Sequence, residues 1–128
     1  MQMKFSFFNA SEFEQRLKCT IHKTGKLGFS EAAIKKLVIG EKRGVMIGKN
    51  EEDESDTNLY MVFMDTDDDR CFRLNKAGGY YYVNTKPLFD KLNLDYQNTT
   101  IIFDIVETPE TEMKVYKLIK REVPKRKQ

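Results

Sequence analysis

Tryptophan is absent from this chain of 128 residues, histidine occurs once and cysteine twice. The two cysteines, Cys19 and Cys71, have no metal-ligand spacing, so no metal centre is expected and two unpaired thiols in a reducing compartment are the default. The lone histidine, His22, stands three residues from Cys19. On a strand that separation sets the two on opposite faces, which excludes a Cys–His nucleophile pair. Long apolar runs are missing as well. None approaches the roughly 18 residues of a membrane span, and the N-terminus has no hydrophobic signal core, so a cytoplasmic protein is expected. Without a secretion signal, Asn9-Ala10-Ser11 and Asn98-Thr99-Thr100 carry no meaning as glycosylation patterns.

Two near-motifs also fail on chemistry. Gly44-Val45-Met46-Ile47-Gly48-Lys49 is one residue short of a phosphate loop and Asn50 replaces its hydroxyl residue, so the segment reads as a strand. Asp65-Thr66-Asp67-Asp68-Asp69 alternates oxygen ligands as a calcium loop does. Arg70 then stands where that loop needs glycine and Lys76 where it needs a bidentate glutamate, which leaves an acidic hairpin tip. The remaining carboxylates fall in loops, with no apolar pocket to raise a pKa. No catalytic signature emerges, and a non-enzyme without a cofactor is expected.

What is present points to one β-rich domain. Nine Phe and six Tyr supply bulky core material, and the length suffices to close a hydrophobic core. The net charge of +2 conceals segregation. Residues 16–49 hold nine Lys or Arg against two Glu, residues 50–69 hold nine acids and no base, and the end is basic again at Lys120-Arg121 and Lys125-Arg126-Lys127. Clustered cations gain by releasing the counterions condensed on a phosphate backbone. Mixed charge is also how small proteins stay soluble.

The chain repeats itself. Lys23-Thr24-Gly25 returns as Lys76-Ala77-Gly78, 53 residues on; Ala33–Ile39 returns as Leu88–Leu94 at 55; Leu59–Phe63 returns as Val115–Ile119 at 56. Small drifts with the order kept are what loop insertions leave behind. Each unit, about 16–64 and 70–120, reads strand–turn–strand–helix–strand–strand. Neither could bury its own apolar face, so a pseudo-two-fold small barrel of two interlocked β-β-α-β-β repeats is expected. Strands are expected over Cys19–Lys23, Lys26–Phe29, Gly44–Lys49, Asn58–Met64, Phe72–Lys76, Tyr80–Val83, Thr99–Val106 and Glu112–Lys120. Ser30 is set to cap the first helix, with Phe29 and Ile34 at staple spacing and Gly40 as the stop. Ala33, Ile34 and Leu37 share its buried face. Thr85, Leu88, Phe89 and Leu92 take the same roles in the second helix, which Pro87 opens. Ser11–Glu14 is read as a short helix, and 121–128 as a flexible basic tail.

Gly25-Lys26-Leu27-Gly28-Phe29-Ser30, followed by Lys36-Leu37-Val38-Ile39-Gly40-Glu41-Lys42-Arg43-Gly44-Val45-Met46-Ile47, resembles the swapped-hairpin barrel of the AbrB and MazE families. The resemblance runs without gaps from Gly25 to Ile47; the second repeat carries two extra residues between Gly78 and Leu92. Ser30 stands where those families usually have proline, and Arg43 where they usually have an acid. The resemblance implies a covalent pseudo-dimer, monomeric where single-repeat relatives must pair, that contacts DNA through basic residues beside the glycine turn and in mid-helix. Those places hold Lys26 and Lys35, with Lys36 adjacent; in the second repeat they hold Gly79 and the neighbourhood of Phe89-Asp90-Lys91.

Together with the basic first unit, this makes Lys23, Lys26, Lys35, Lys36, Lys42 and Arg43 the candidate DNA contacts. Tyr80 and Tyr81 are candidate aromatic contacts. Alternation puts Tyr80 and Tyr82 on one face and Tyr81 on the other, so at least one ring meets solvent beside lysines, where it could stack a base or anchor a partner, or it fills a small barrel and its rim. A regulatory DNA-binding protein is the first expectation. The second is a protein-interaction or assembly module that kept the barrel and lost the DNA surface.

Overall fold

A computed structural model describes residues 2–10, 16–66, 68–110 and 112–125. The proposed helix at Ser11–Glu14 therefore lies outside the described residues. Eight strands close into one barrel: β1 (Lys18–Ile21), β2 (Lys26–Phe29), β3 (Gly44–Lys49), β4 (Leu59–Met64), β5 (Phe72–Ala77), β6 (Tyr80–Asn84), β7 (Thr99–Glu107) and β8 (Tyr116–Pro124). Two short helices, α1 (Glu31–Lys36) and α2 (Lys86–Lys91), follow β2 and β6. The chain is thus mostly β, a small barrel with element order β-β-α-β-β twice over.

Around the barrel the order is β1-β2-β6-β5-β3-β4-β8-β7, with β7 closing on β1, and every pair is antiparallel. Exchanging β1–β4 for β5–β8 leaves this ring unchanged. Each half makes two hairpins that never pair with one another. β1–β2 is flanked by β7 and β6, and β3–β4 by β5 and β8, so every seam between hairpins joins one half to the other. Closure removes the long open edges that would otherwise invite aggregation.

Alternation fills the interior. Leu27, Val45, Met61, Val83, Ile101 and Leu118 are at most 1% exposed, each on the inward phase of its strand. Phe89 of α2 is fully buried and stacks on Phe103 at 6.2 Å between ring centres. At about 1.5–3 kcal/mol per buried large side chain, this layer is the main driving force for closure.

Local chemistry departs from the sequence reading in several places. Ser30 caps α1 as expected, its Oγ accepting the Ala33 N–H at 3.2 Å, but Gly40 is not the stop. The chain turns out of α1 at Val38, whose φ of 51° is left-handed, and Gly40 lies in a 3₁₀ turn, Ile39–Glu41. There a Cβ would come within 3.0 Å of the Tyr81 hydroxyl, so close approach rather than backbone conformation explains that glycine. Leu92 is not in the buried face: α2 ends one residue earlier, leaving Leu92 as its C-cap, 41% exposed. Ile34 and Leu37 are half-buried, whereas Ala33 is fully buried. Cys19 lies inside β1, which starts one residue before the expected strand and ends at Ile21; Cys71 directly precedes β5. β8 starts later and runs further than expected, so 121–124 belong to a strand and not to a tail. Arg121 donates from Nε and from one terminal guanidinium nitrogen to the two oxygens of Asp104 (2.7 and 3.1 Å), and Lys125 donates to the carbonyls of Tyr96 and Gln97 at 2.9 Å. Arg126 and Lys127 lie outside the described residues.

Candidate nucleic-acid interface

The seam between β2 and β6 joins the two halves and pairs Lys26 with Asn84, Leu27 with Val83 and Gly28 with Tyr82. Because Leu27 and Val83 point into the core, alternation turns Lys26, Gly28, Tyr80, Tyr82 and Asn84 outward. The rings of Tyr80 and Tyr82 stand nearly parallel, 6.2 Å apart and tilted by 23°. The Lys26 ammonium sits 4.7 Å from the centre of the Tyr82 ring, a cation–π distance. From the other side of β2, His22 shares a hydrogen bond with the Tyr80 hydroxyl, the two rings meeting edge to face at 5.7 Å. They meet above Gly28. A Cβ there would lie 1.4 Å from the Tyr80 oxygen and 2.6 Å from His22 Nε2, so the missing side chain is what lets them converge. Burial raises the Tyr80 pKa, which keeps its hydroxyl protonated.

The turn that carries Lys23 is held by the opposite half. Gly25 has φ of +85°, and a Cβ on it would fall 2.6 Å from Cβ of Lys86. Thr85, buried at the start of α2, spends its hydroxyl on the Gly25 carbonyl (2.9 Å) instead of capping its own helix. Lys86 in turn pairs with Asp90 at 2.6 Å. That ammonium first, and the Tyr96 hydroxyl second, hold the Asp90 carboxyl below the usual range.

The other candidates lie elsewhere. Lys35 and Lys36 are exposed on α1, at the opposite end of β2 from the turn, and Lys35 makes an i,i+4 pair with Glu31 at 3.2 Å. Such a surface pair contributes little. Lys42 lies 3.7 Å from Asp65. Arg43 ties β3 to its neighbours by backbone, donating to Met64 and accepting from Leu74, and its exposed side chain lines a shallow hollow with Lys42 and Arg73. Tyr81 points inward against the core, its ring 5.9 Å from the Lys76 ammonium. The structure thus gathers Lys23, Lys26 and Tyr80 at one seam, puts Lys42 and Arg43 at another, and gives Tyr80 the company of Tyr82 in place of Tyr81. His22 and Tyr82 are the members that sequence reading did not select. The alternation that separates Tyr81 from its neighbours was the signal for Tyr82; for His22 the sequence carried none, because its partner is 58 residues away.

Titration chemistry gives no poised acid or base among the described carboxyls whose pKa is displaced. Asp56, Asp68 and Asp90 all move downward, held ionised by hydrogen bonds led by Tyr60, Arg70 and Lys86 respectively. Burial pushes the Cys19 thiol far above its ordinary range, so it is inert at neutral pH. Among the described residues no three His, Cys, Asp or Glu converge to hold a metal ion, and no helix is long and apolar enough to cross a membrane. Asp67 of the acidic tip lies outside the described residues, while Asp68 turns back onto Arg70 at 3.0 Å. Compared with protein-family models, with curated proteins and with solved structures, the chain matches none.

Proposed function

We propose that this chain is a non-enzymatic DNA-binding, regulatory protein in which an internal duplication places both halves of an AbrB-like swapped-hairpin barrel in one polypeptide. The exchange-invariant strand order and the hairpins that pair only across halves support the duplication. One observation carries the binding function. On the wall formed by β1, β2, β6 and β5, the outward positions include Lys18, Lys26 and Arg73 and no carboxylate, while the acids cluster in the loops around 50–57 and 65–69. Asp104 of β7 borders the wall opposite Lys18 and is held by Arg121, so the wall keeps a positive excess, which is what a phosphate backbone attracts. Lys23 on the clamped turn extends it.

The test is fluorescence anisotropy of labelled random-sequence duplex at about 50 and 200 mM salt, the range in which multi-phosphate contacts declare themselves. Binding should weaken steeply between the two, and Lys23→Glu with Lys26→Glu should reduce it about tenfold or more, while Lys35→Glu with Lys36→Glu should do less. Absence of binding at the lower salt rejects the reading. The assembly-module alternative draws on exposed apolar groups: Met3, Phe5, Phe7 and Phe8 are 69–88% exposed, and Val106, Ile119 and Val123 stand out from β7 and β8. Partner binding through those groups would be insensitive to salt.

A further inference from the structure

Resting on the nucleic-acid reading above, we propose that the β2–β6 seam is a single-strand platform: Tyr80 and Tyr82 each stack an unpaired base while Lys23 and Lys26 take the adjoining phosphates. In a duplex the bases are stacked on one another at a rise of about 3.4 Å per strand position and offer no free face to a side chain on a sheet. The tyrosine rings are 6.2 Å apart, too far to follow that rise and suited to bases spread along an extended strand. Aromatic faces beside cations are the shared equipment of proteins that hold single strands without reading sequence.

The platform is built before any ligand arrives. Tyr80 is fixed at its hydroxyl by His22 and lies across the gap left by Gly28; Tyr82 is flanked by Lys26. Both rings are half-buried, so little side-chain freedom remains to be lost on binding. The platform also explains why the seam is asymmetric. β6 supplies both rings, while β2 supplies Gly28 opposite Tyr82 and Lys26 opposite Asn84. Base faces and phosphates are common to DNA and RNA, so the chemistry named is single-stranded nucleic acid, and the test separates the two sources.

The experiment titrates the full chain into fluorescein-labelled oligothymidine, oligouridine and a duplex of matched length, about 12 nucleotides, within the site sizes usual for such surfaces. At least one single strand should bind about tenfold tighter than the duplex, and the arm that does so names the source. Tyr80→Leu and Tyr82→Leu should each cost about tenfold on that strand and several-fold less on the duplex, whereas Lys26→Glu should weaken both alike. Gly28→Ala keeps every charge and ring but drives the Tyr80 hydroxyl off His22; it should weaken the single strand alone. With no tryptophan in the chain, tyrosine emission of the unmodified protein gives a second readout that needs no variant to fold. Quenching should accompany the anisotropy rise. Duplex bound as tightly as single strands, or strand binding without quenching, overturns the platform and leaves the DNA-binding reading standing. No binding to any probe removes both.

Discussion

Lys23-Thr24-Gly25 and Lys76-Ala77-Gly78 open equivalent hairpins, yet they sit in different surroundings. Gly25 is pressed against Lys86 and its carbonyl is held by Thr85, whereas Gly78 and Gly79 meet nothing within 4 Å. The helix caps differ in the same sense. Ser30 serves its own half, accepting N–H groups from Ala33 and Lys18 at 3.2 Å each. Thr85 reaches across to the other half. Ile34 is half-buried at the place where the second helix has fully buried Phe89. Two halves with one topology have therefore divided the labour. The second supplies the anchor and the aromatic rings; the first supplies the cationic turn that the anchor holds in place.

That division can be broken in order of expected effect. Phe89→Ala should cost about 3–5 kcal/mol in a denaturant melt, and Ile34→Ala about half as much; equal losses would mean the helices share the core evenly. Gly25→Ala should cost more than about 2 kcal/mol, because left-handed strain adds to a clash with Lys86, while Gly78→Ala carries the strain alone, about 1 kcal/mol. If the two alanines behaved alike, the clamp would be unimportant. Thr85→Val should cost about 2 kcal/mol by stranding the Gly25 carbonyl, against about 1 kcal/mol for loss of the Ser30 cap in Ser30→Ala. Thr85→Val should also loosen the Lys23 turn, visible as faster amide exchange at Gly25 than at Gly78. Smallest is a repair. Val38 and Asn93 each follow a helix C-cap with positive φ, 51° and 57°. Val38→Asn should stabilise by about 0.5–1 kcal/mol, since asparagine tolerates that conformation and a β-branched residue does not.

Much of the fold was legible. The strands Lys26–Phe29 and Gly44–Lys49 follow directly from alternation between glycine and serine punctuation, and the helix of the first half from Ser30. Doubling of Lys-x-Gly and of the amphipathic helix implied two units that must interlock. The misreadings share a cause. Gly40 and Leu92 were assigned by local rules for stops and faces, and a contact distant in sequence prevailed or the helix ended a residue early; Thr85 does stand at the N-cap of α2, but its hydroxyl serves a carbonyl of the other half. The basic end was read as a tail because charge runs usually are. Pairing with β7, and with Asp104 in particular, recruits Arg121 into the barrel. Of the candidate site, Lys23, Lys26 and Tyr80 were within reach, but their meeting was not.

Periodicity and turn chemistry act over a few residues, so a single chain read from end to end can declare its strands, short helices, glycine turns and the repetition of a unit. Which hairpin lies beside which is decided by closure: eight strands must satisfy every edge at once, and that selects cross-half seams no local pattern encodes. The wall of Lys26, Tyr80, Tyr82 and His22 exists because one such seam sets residues 58 apart in sequence within hydrogen-bonding reach above a glycine.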